Sequence, residues 1–120
     1  MADRWRLVVR DGASVRKSEW PSLAEALDEL QAETVEASNR PPAEPIDLRV
    51  RDFEPRDLVV MRATVKGPQR FVPKVRCGMD VRGDGSAEPW IGGAGKSEVD
   101  VRKKETPWLA LRRELGVKKP

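Results

Sequence analysis

Two periods run through the hydrophobic positions of this chain, a period of two that marks strands and a period near 3.6 that marks helices. Trp5 to Arg10 reads as a strand, Asp11-Gly12 as a turn, and Ser14 to Trp20 as the return strand of a hairpin. The period then changes. Leu23, Ala26, Leu27 and Leu30 recur at helical spacing with acidic residues opposite, and Ser22 with Glu25 forms an S-x-x-E capping box. A helix is predicted over Ser22 to Ala37. Pro41, Pro42 and Pro45 end it and make residues 38–45 an extended connector.

Alternation resumes beyond the connector. Ile46, Leu48 and Val50 interleave with Asp47, Arg49 and Arg51, which predicts a half-buried strand. Over Leu58 to Val65 the apolar phase is Val59, Met61, Ala63 and Val65, with Val60, Arg62, Thr64 and Lys66 opposite, before Gly67-Pro68 turns the chain. Val75, Cys77, Met79 and Val81 line the core side of the next strand, opposed by Lys74, Arg76, Asp80 and Arg82, and residues 83–86 form a tight turn. Short strands are predicted at Glu88 to Ile91 and Val99 to Arg102. Thr106 caps a last helix that has Pro107 at its first position, Trp108, Leu111 and Leu115 on one face, and Gly116 at its end. The sum is a single α+β domain over residues 1–120, a largely antiparallel sheet packed against two helices, with a short basic tail at 116–120.

Composition changes the picture chiefly by what it lacks. The chain has no histidine, no tyrosine and one cysteine, so Ser-His and Cys-His nucleophiles are excluded, as is a zinc site with nitrogen and sulfur ligands. No cofactor and no metal are implied. The expectation is a non-enzymatic protein. No apolar stretch reaches the roughly 20 residues of a spanning helix, and Met1 to Arg10 lacks the apolar core of a signal peptide, so no membrane is expected and the location is read as cytoplasmic.

Several short motifs give way to local explanations. Gly95-Lys96-Ser97 matches the end of a phosphate-binding loop, but Trp90 stands where its first glycine belongs, and alternating rather than helical residues follow. Asp80, Asp84 and Gly85 suggest a calcium loop, yet Arg82 and Ile91 occupy ligand positions. Arg82-Gly83-Asp84 reads as a turn. Ser14 and Lys17 fit S-x-x-K without the companion motifs of serine acyltransferases. Cys77, within an apolar phase, reads as a small core residue. Trp5, Trp20 and Trp108 are placed toward the core, whereas Trp90, beside a glycine-rich loop, is a candidate exposed contact residue.

Charge is unevenly distributed. Residues 22–45 hold one basic and six acidic residues, while residues 58–82 hold six basic and one acidic. If the two central strands pair, Arg62, Lys66, Lys74, Arg76 and Arg82 project from the side of the sheet away from the core, and Arg112, Arg113, Lys118 and Lys119 add to the stripe. Such cations would neutralise phosphates. None of the outward positions on those strands is aromatic, which disfavours the sheet-face stacking used by readers of single-stranded RNA and leaves backbone-dominated binding of a duplex as an expectation.

The opening run Trp5-Arg6-Leu7-Val8-Val9-Arg10, then Gly12, a basic return strand and Trp20-Pro21-Ser22-Leu23-Ala24-Glu25-Ala26, resembles the arm-type, AP2-like DNA-binding domains of phage integrases. The resemblance covers about a quarter of the chain. It implies a small sheet packed on one helix, with the sheet entering a DNA groove. No third strand is evident before the helix, and there is no tyrosine nucleophile, so strand transfer is not implied. Gly78 to Ser86 and Trp108 to Leu115 resemble segments of short bacterial proteins of no established function, a resemblance that supplies no activity.

The leading expectation is a binding module that holds the nucleic-acid backbone on its basic sheet face. A protein-interaction or assembly role, including a homo-oligomer, ranks beside it, because the opposite-signed patches suit docking on a charged partner. A hydrolase using Asp80, Asp84 and Glu88 ranks third, since their spacing demands no such chemistry.

Overall fold

The computed structural model describes residues 4–41, 46–48, 51–53, 58–67, 75–92 and 96–117, with backbone alone for 46–48 and 51–53. Among the described residues, eight strands and two helices follow one another as β1 (Trp5–Asp11), β2 (Ser14–Trp20), α1 (Leu23–Ser38), β3 (Ile46–Leu48), β4 (Arg51–Phe53), β5 (Val59–Gly67), β6 (Val75–Arg82), β7 (Ala87–Gly92), β8 (Lys96–Glu98) and α2 (Pro107–Leu115). Six strands make one antiparallel sheet in the order β2-β1-β5-β6-β7-β8, and β3 pairs with β4 separately. The α+β class and the antiparallel sheet on two helices are as the alternation predicted.

Local chemistry accounts for the ends of these elements. β1 and β2 join through two residues, and Gly12 at the first of them has φ 59°, the positive value that such hairpin turns require. The Ser22 hydroxyl oxygen accepts from the Glu25 N–H at 3.1 Å and starts α1. Thr106 does the same for α2, accepting from the Leu109 N–H at 3.1 Å, and Gly116 closes that helix.

The core lies between the sheet and both helices. Leu7, Met61, Val65, Met79 and Val81 from the sheet meet Leu27 and Leu30 of α1 and Leu111 of α2, each at most 2% exposed. Cys77 is fully buried among them, and Trp5, Trp20 and Trp108 pack around the edge of the same cluster, as expected. The two helices are locked to each other: the Trp108 indole N–H donates to the Thr34 hydroxyl at 2.7 Å, and buried Arg112 donates to Asp28 at 2.7 Å.

Four expectations need correction. A bulge between Val59 and Met61 shifts the phase of β5, so that Val59 is exposed and Val60 packs toward the core. Residues 99–102 form no strand; β8 instead covers Lys96–Glu98, and a single bond from the Val99 N–H to the Pro89 carbonyl ends the pairing. Alternation over 46–51 is split by the separate β3-β4 pairing. Arg112 and Arg113 extend no basic stripe: the first is buried against α1, and the second bonds Glu105 and Glu114. Residues 42–45, Lys74, Lys118 and Lys119 lie outside the described residues.

Candidate nucleic-acid interface

Both helices cover one face of the sheet, and the pairing register assigns side chains to the other. Arg6 opposes Lys66, Val8 opposes Thr64, and Arg10 opposes Arg62 across β1 and β5. Lys66 in turn opposes Arg76, Thr64 opposes Gly78, and Arg62 opposes Asp80 across β5 and β6. Rows therefore run across the strands. One carries Arg6, Lys66 and Arg76; a second carries Arg10 and Arg62; between them lie the short side chains of Val8 and Thr64 with Gly78.

The result is a trough of about 300 Å³ lined by Arg6, Val8, Arg10, Lys17, Arg62, Thr64, Lys66 and Arg76. Three of the predicted cations, Arg62, Lys66 and Arg76, meet here. Arg82 does not line it; its guanidinium makes paired bonds of 2.7 and 3.2 Å to Glu88. Arg6, Arg10 and Lys17 were not foreseen in the site. Arg6 and Arg10 alternate with Leu7 and Val9, a usable signal for the outward face, but nothing local announces that β1 lies beside β5.

Trp90 requires the largest revision. It is not an exposed contact residue: it is 3% exposed. It also stands on the basic face, because its partner across β6 and β7 is Gly78, whose side of the strand is that of Arg76 and Asp80. The indole lies on Gly78, where an added Cβ would fall 2.5 Å from Cζ2 of the ring. Over the ring sit the Arg76 guanidinium, 5.6 Å from the centroid, and the Lys96 ammonium, at 5.2 Å. The basic face thus has an aromatic residue, roofed by cations.

Asp80 organises this end of the face. It is 2% exposed rather than solvated, and four donors fill its carboxylate. Arg62 donates from Nε to Oδ1 at 2.9 Å and from Nη2 to Oδ2 at 3.1 Å; Trp90 donates to Oδ1 at 3.1 Å, and Lys96 donates to Oδ2 at 2.6 Å. Burial pushes its pKa upward, but the bonds from Arg62 and Lys96, with their charges, prevail and hold it below the ordinary carboxylate value. Asp84 is engaged in its own turn, accepting from the Ser86 N–H and hydroxyl. Asp80, Asp84 and Glu88 are therefore each held by a neighbour, and among the described residues no three acidic or thiol groups converge to hold a metal ion.

Charge on the trough is not fully cancelled internally. Glu19 lies 3.4 Å from Arg6, and Asp80 takes Arg62, but Arg10, Lys17 and Arg76 have no carboxylate partner among the described residues. A larger depression of about 520 Å³ between β2 and α1 differs in this respect. Its Arg16 bonds Glu33 at 2.6 Å, and its Arg40 bonds Asp11 and Glu36 at 2.9 and 2.7 Å, so its charges compensate one another. Among the described residues no helix is long and apolar enough to cross a membrane. Compared with known proteins, the chain matches no family model, no curated protein and no solved structure.

Proposed function

We propose that this chain is a non-enzymatic, cytoplasmic binding protein that holds nucleic acid by its phosphate backbone on the sheet face opposite the helices. The observation that carries this reading is the convergence of six cations, Arg6, Arg10, Lys17, Arg62, Lys66 and Arg76, from four strands around one concavity. Guanidinium groups bind phosphate oxygens in pairs, and clustered cations gain further from counterion release. The arm-type resemblance is in keeping with this: β2, β1 and β5 form a three-stranded antiparallel unit against α1, its third strand supplied after the helix.

Docking on a protein through opposite-signed patches has less support. Asp28, Glu33 and Glu36, three carboxylates of the acidic helix, already bond Arg112, Arg16 and Arg40 within the chain.

The test is fluorescence anisotropy with labelled DNA and RNA at about 50 mM salt and at physiological salt. Arg10→Glu with Lys17→Glu reverses two exposed trough cations, and Lys103→Glu with Lys104→Glu makes the same charge change off the trough. Affinity that falls at least tenfold with the first pair and changes little with the second supports the site. Equal losses, or no binding at low salt, would refute it.

A further inference from the structure

The cationic rows give the bound polymer a direction. Arg6 and Arg10 are four residues apart on β1, so the two rows stand about 14 Å apart, with the low floor of Val8 and Thr64 between them and the Trp90 indole covering Gly78 beyond it. The floor runs perpendicular to the strands. At the β2 end it meets Lys17, and at the far end Arg76 and Lys96 of β8 lie over Trp90, where Lys96 bonds Asp80 and Glu98 pairs with Trp90. Five inter-strand spacings separate β2 from β8, about 24 Å.

We infer that the ligand is a single nucleic-acid strand lying across the β-strands, its phosphates between the two cationic rows and its bases directed away from the sheet. This rests on the reading of the trough as a phosphate-backbone site and narrows it. Two observations set a lone strand ahead of a duplex, and a third sets a polymer ahead of a small ligand. Proteins that read duplexes place a helix, or the strands of a ribbon or sheet, into a groove. Here both helices pack on the opposite face, and the middle of the trough is its lowest part, occupied by short side chains. A path that continues from Lys17 to Lys96 also exceeds what a small phosphate compound would use. Trp90 is roofed by Arg76 and Lys96, so it offers no platform for stacking, and recognition passes through phosphates without regard to base.

The experiment compares four probes against the full chain at low salt: an oligothymidine of about twelve nucleotides, an abasic strand of the same length, a duplex, and inorganic tripolyphosphate. The expected result is that oligothymidine and the abasic strand bind within about threefold of each other, and each at least tenfold tighter than the duplex. The slope of log affinity against log salt should lie near −3, the value for about four phosphates on a single strand. Arg10→Glu with Lys17→Glu, confirmed folded by circular dichroism, should weaken the single strand at least tenfold. Duplex binding as tight as single-strand binding, lost on that same charge reversal, overturns this inference and leaves the phosphate-backbone reading standing. A tenfold loss on removing the bases overturns it in favour of base contacts, and displacement by tripolyphosphate at equal phosphate concentration overturns it in favour of a small ligand. Absence of binding to every probe overturns both readings together.

Discussion

The indole N–H of Trp90 donates to Oδ1 of Asp80 over 3.1 Å, beneath Arg76 and Lys96, of which the same carboxylate also holds Lys96. Asp80 therefore links β5, β6, β7 and β8 on the face that carries the trough, through Arg62, Trp90 and Lys96. Asp80→Asn keeps the shape, but the two bonds to the remaining oxygen lose their charge assistance and the amide nitrogen faces the two donors that the other oxygen accepted from. Arg62 and Lys96 have side chains about half exposed and regain water, which limits the loss to about 2 kcal/mol. Urea denaturation at neutral pH measures it; an unchanged midpoint would remove Asp80 as the organiser of this face.

Acid should weaken the fold through the same group. The Asp80 carboxyl is held below its ordinary value of 3.8 in the folded chain, so the unfolded chain takes up the proton first as pH falls. Its contribution is thus fully present above the unfolded pKa, about 3.9, and is lost as pH drops through the lower folded value. The acid limb of a stability–pH curve should be shallower in Asp80→Asn than in the wild-type chain. Parallel curves for the two would mean that Asp80 does not carry the linkage.

Gly78 is a packing requirement rather than a turn. A Cβ there would press on the Ala63 carbonyl oxygen and lie 2.5 and 2.7 Å from two atoms of the Trp90 ring. Lifting the indole relieves the ring contacts, and the β5 backbone at Ala63 must shift as well. Gly78→Ala should destabilise by about 2 kcal/mol and raise the accessibility of Trp90 to an anionic quencher such as iodide. A variant as stable as wild type would show that the ring has room to move.

Much of the fold was legible because its signals are local. Ser22 with Glu25, Thr106 with Pro107, and Asp11-Gly12 each lie within a few residues of the element they start or turn, and each appears in the structure in that role. The site was only partly legible because it is assembled by pairing. Alternation separates Cys77 and Met79 from Arg76 and Asp80, but only the Gly78-to-Trp90 register reveals that the indole shares the cations' face. β1 meets β5 some fifty residues later in the chain, so Arg6 and Arg10 carry no sequence mark of their nearness to Lys66 and Arg62. The bulge at Val59 likewise breaks a phase that the residues themselves continue.

Cys77 should be chemically silent in the native state. It is fully buried, and burial pushes its thiol up to about 12, so neither access nor thiolate is provided at neutral pH. Alkylation by iodoacetamide should require unfolding, with a rate that rises with urea along the unfolding transition. Rapid modification in native buffer would contradict the buried placement of β6.

Trp108 and Thr34 join the helices through one hydrogen bond, and each depends on the other differently. The Thr34 hydroxyl donates to the Leu30 carbonyl at 2.7 Å and accepts from the Trp108 N–H at 2.7 Å, so it serves both α1 and α2. Thr34→Val removes the acceptor at nearly constant volume and leaves the indole N–H beside a methyl, costing about 1.5 kcal/mol. Trp108→Phe removes the donor and part of the ring, costing about 2 kcal/mol, but the threonine keeps its bond to Leu30. Once the indole N–H is gone, the valine strands no donor. The double variant should therefore lose about 1 kcal/mol less than the sum of the single ones, measured by denaturation of all four proteins. Losses that add to within about 0.3 kcal/mol would show that this bond does not couple the two helices, and that α2 is held by its apolar contacts and by Arg112.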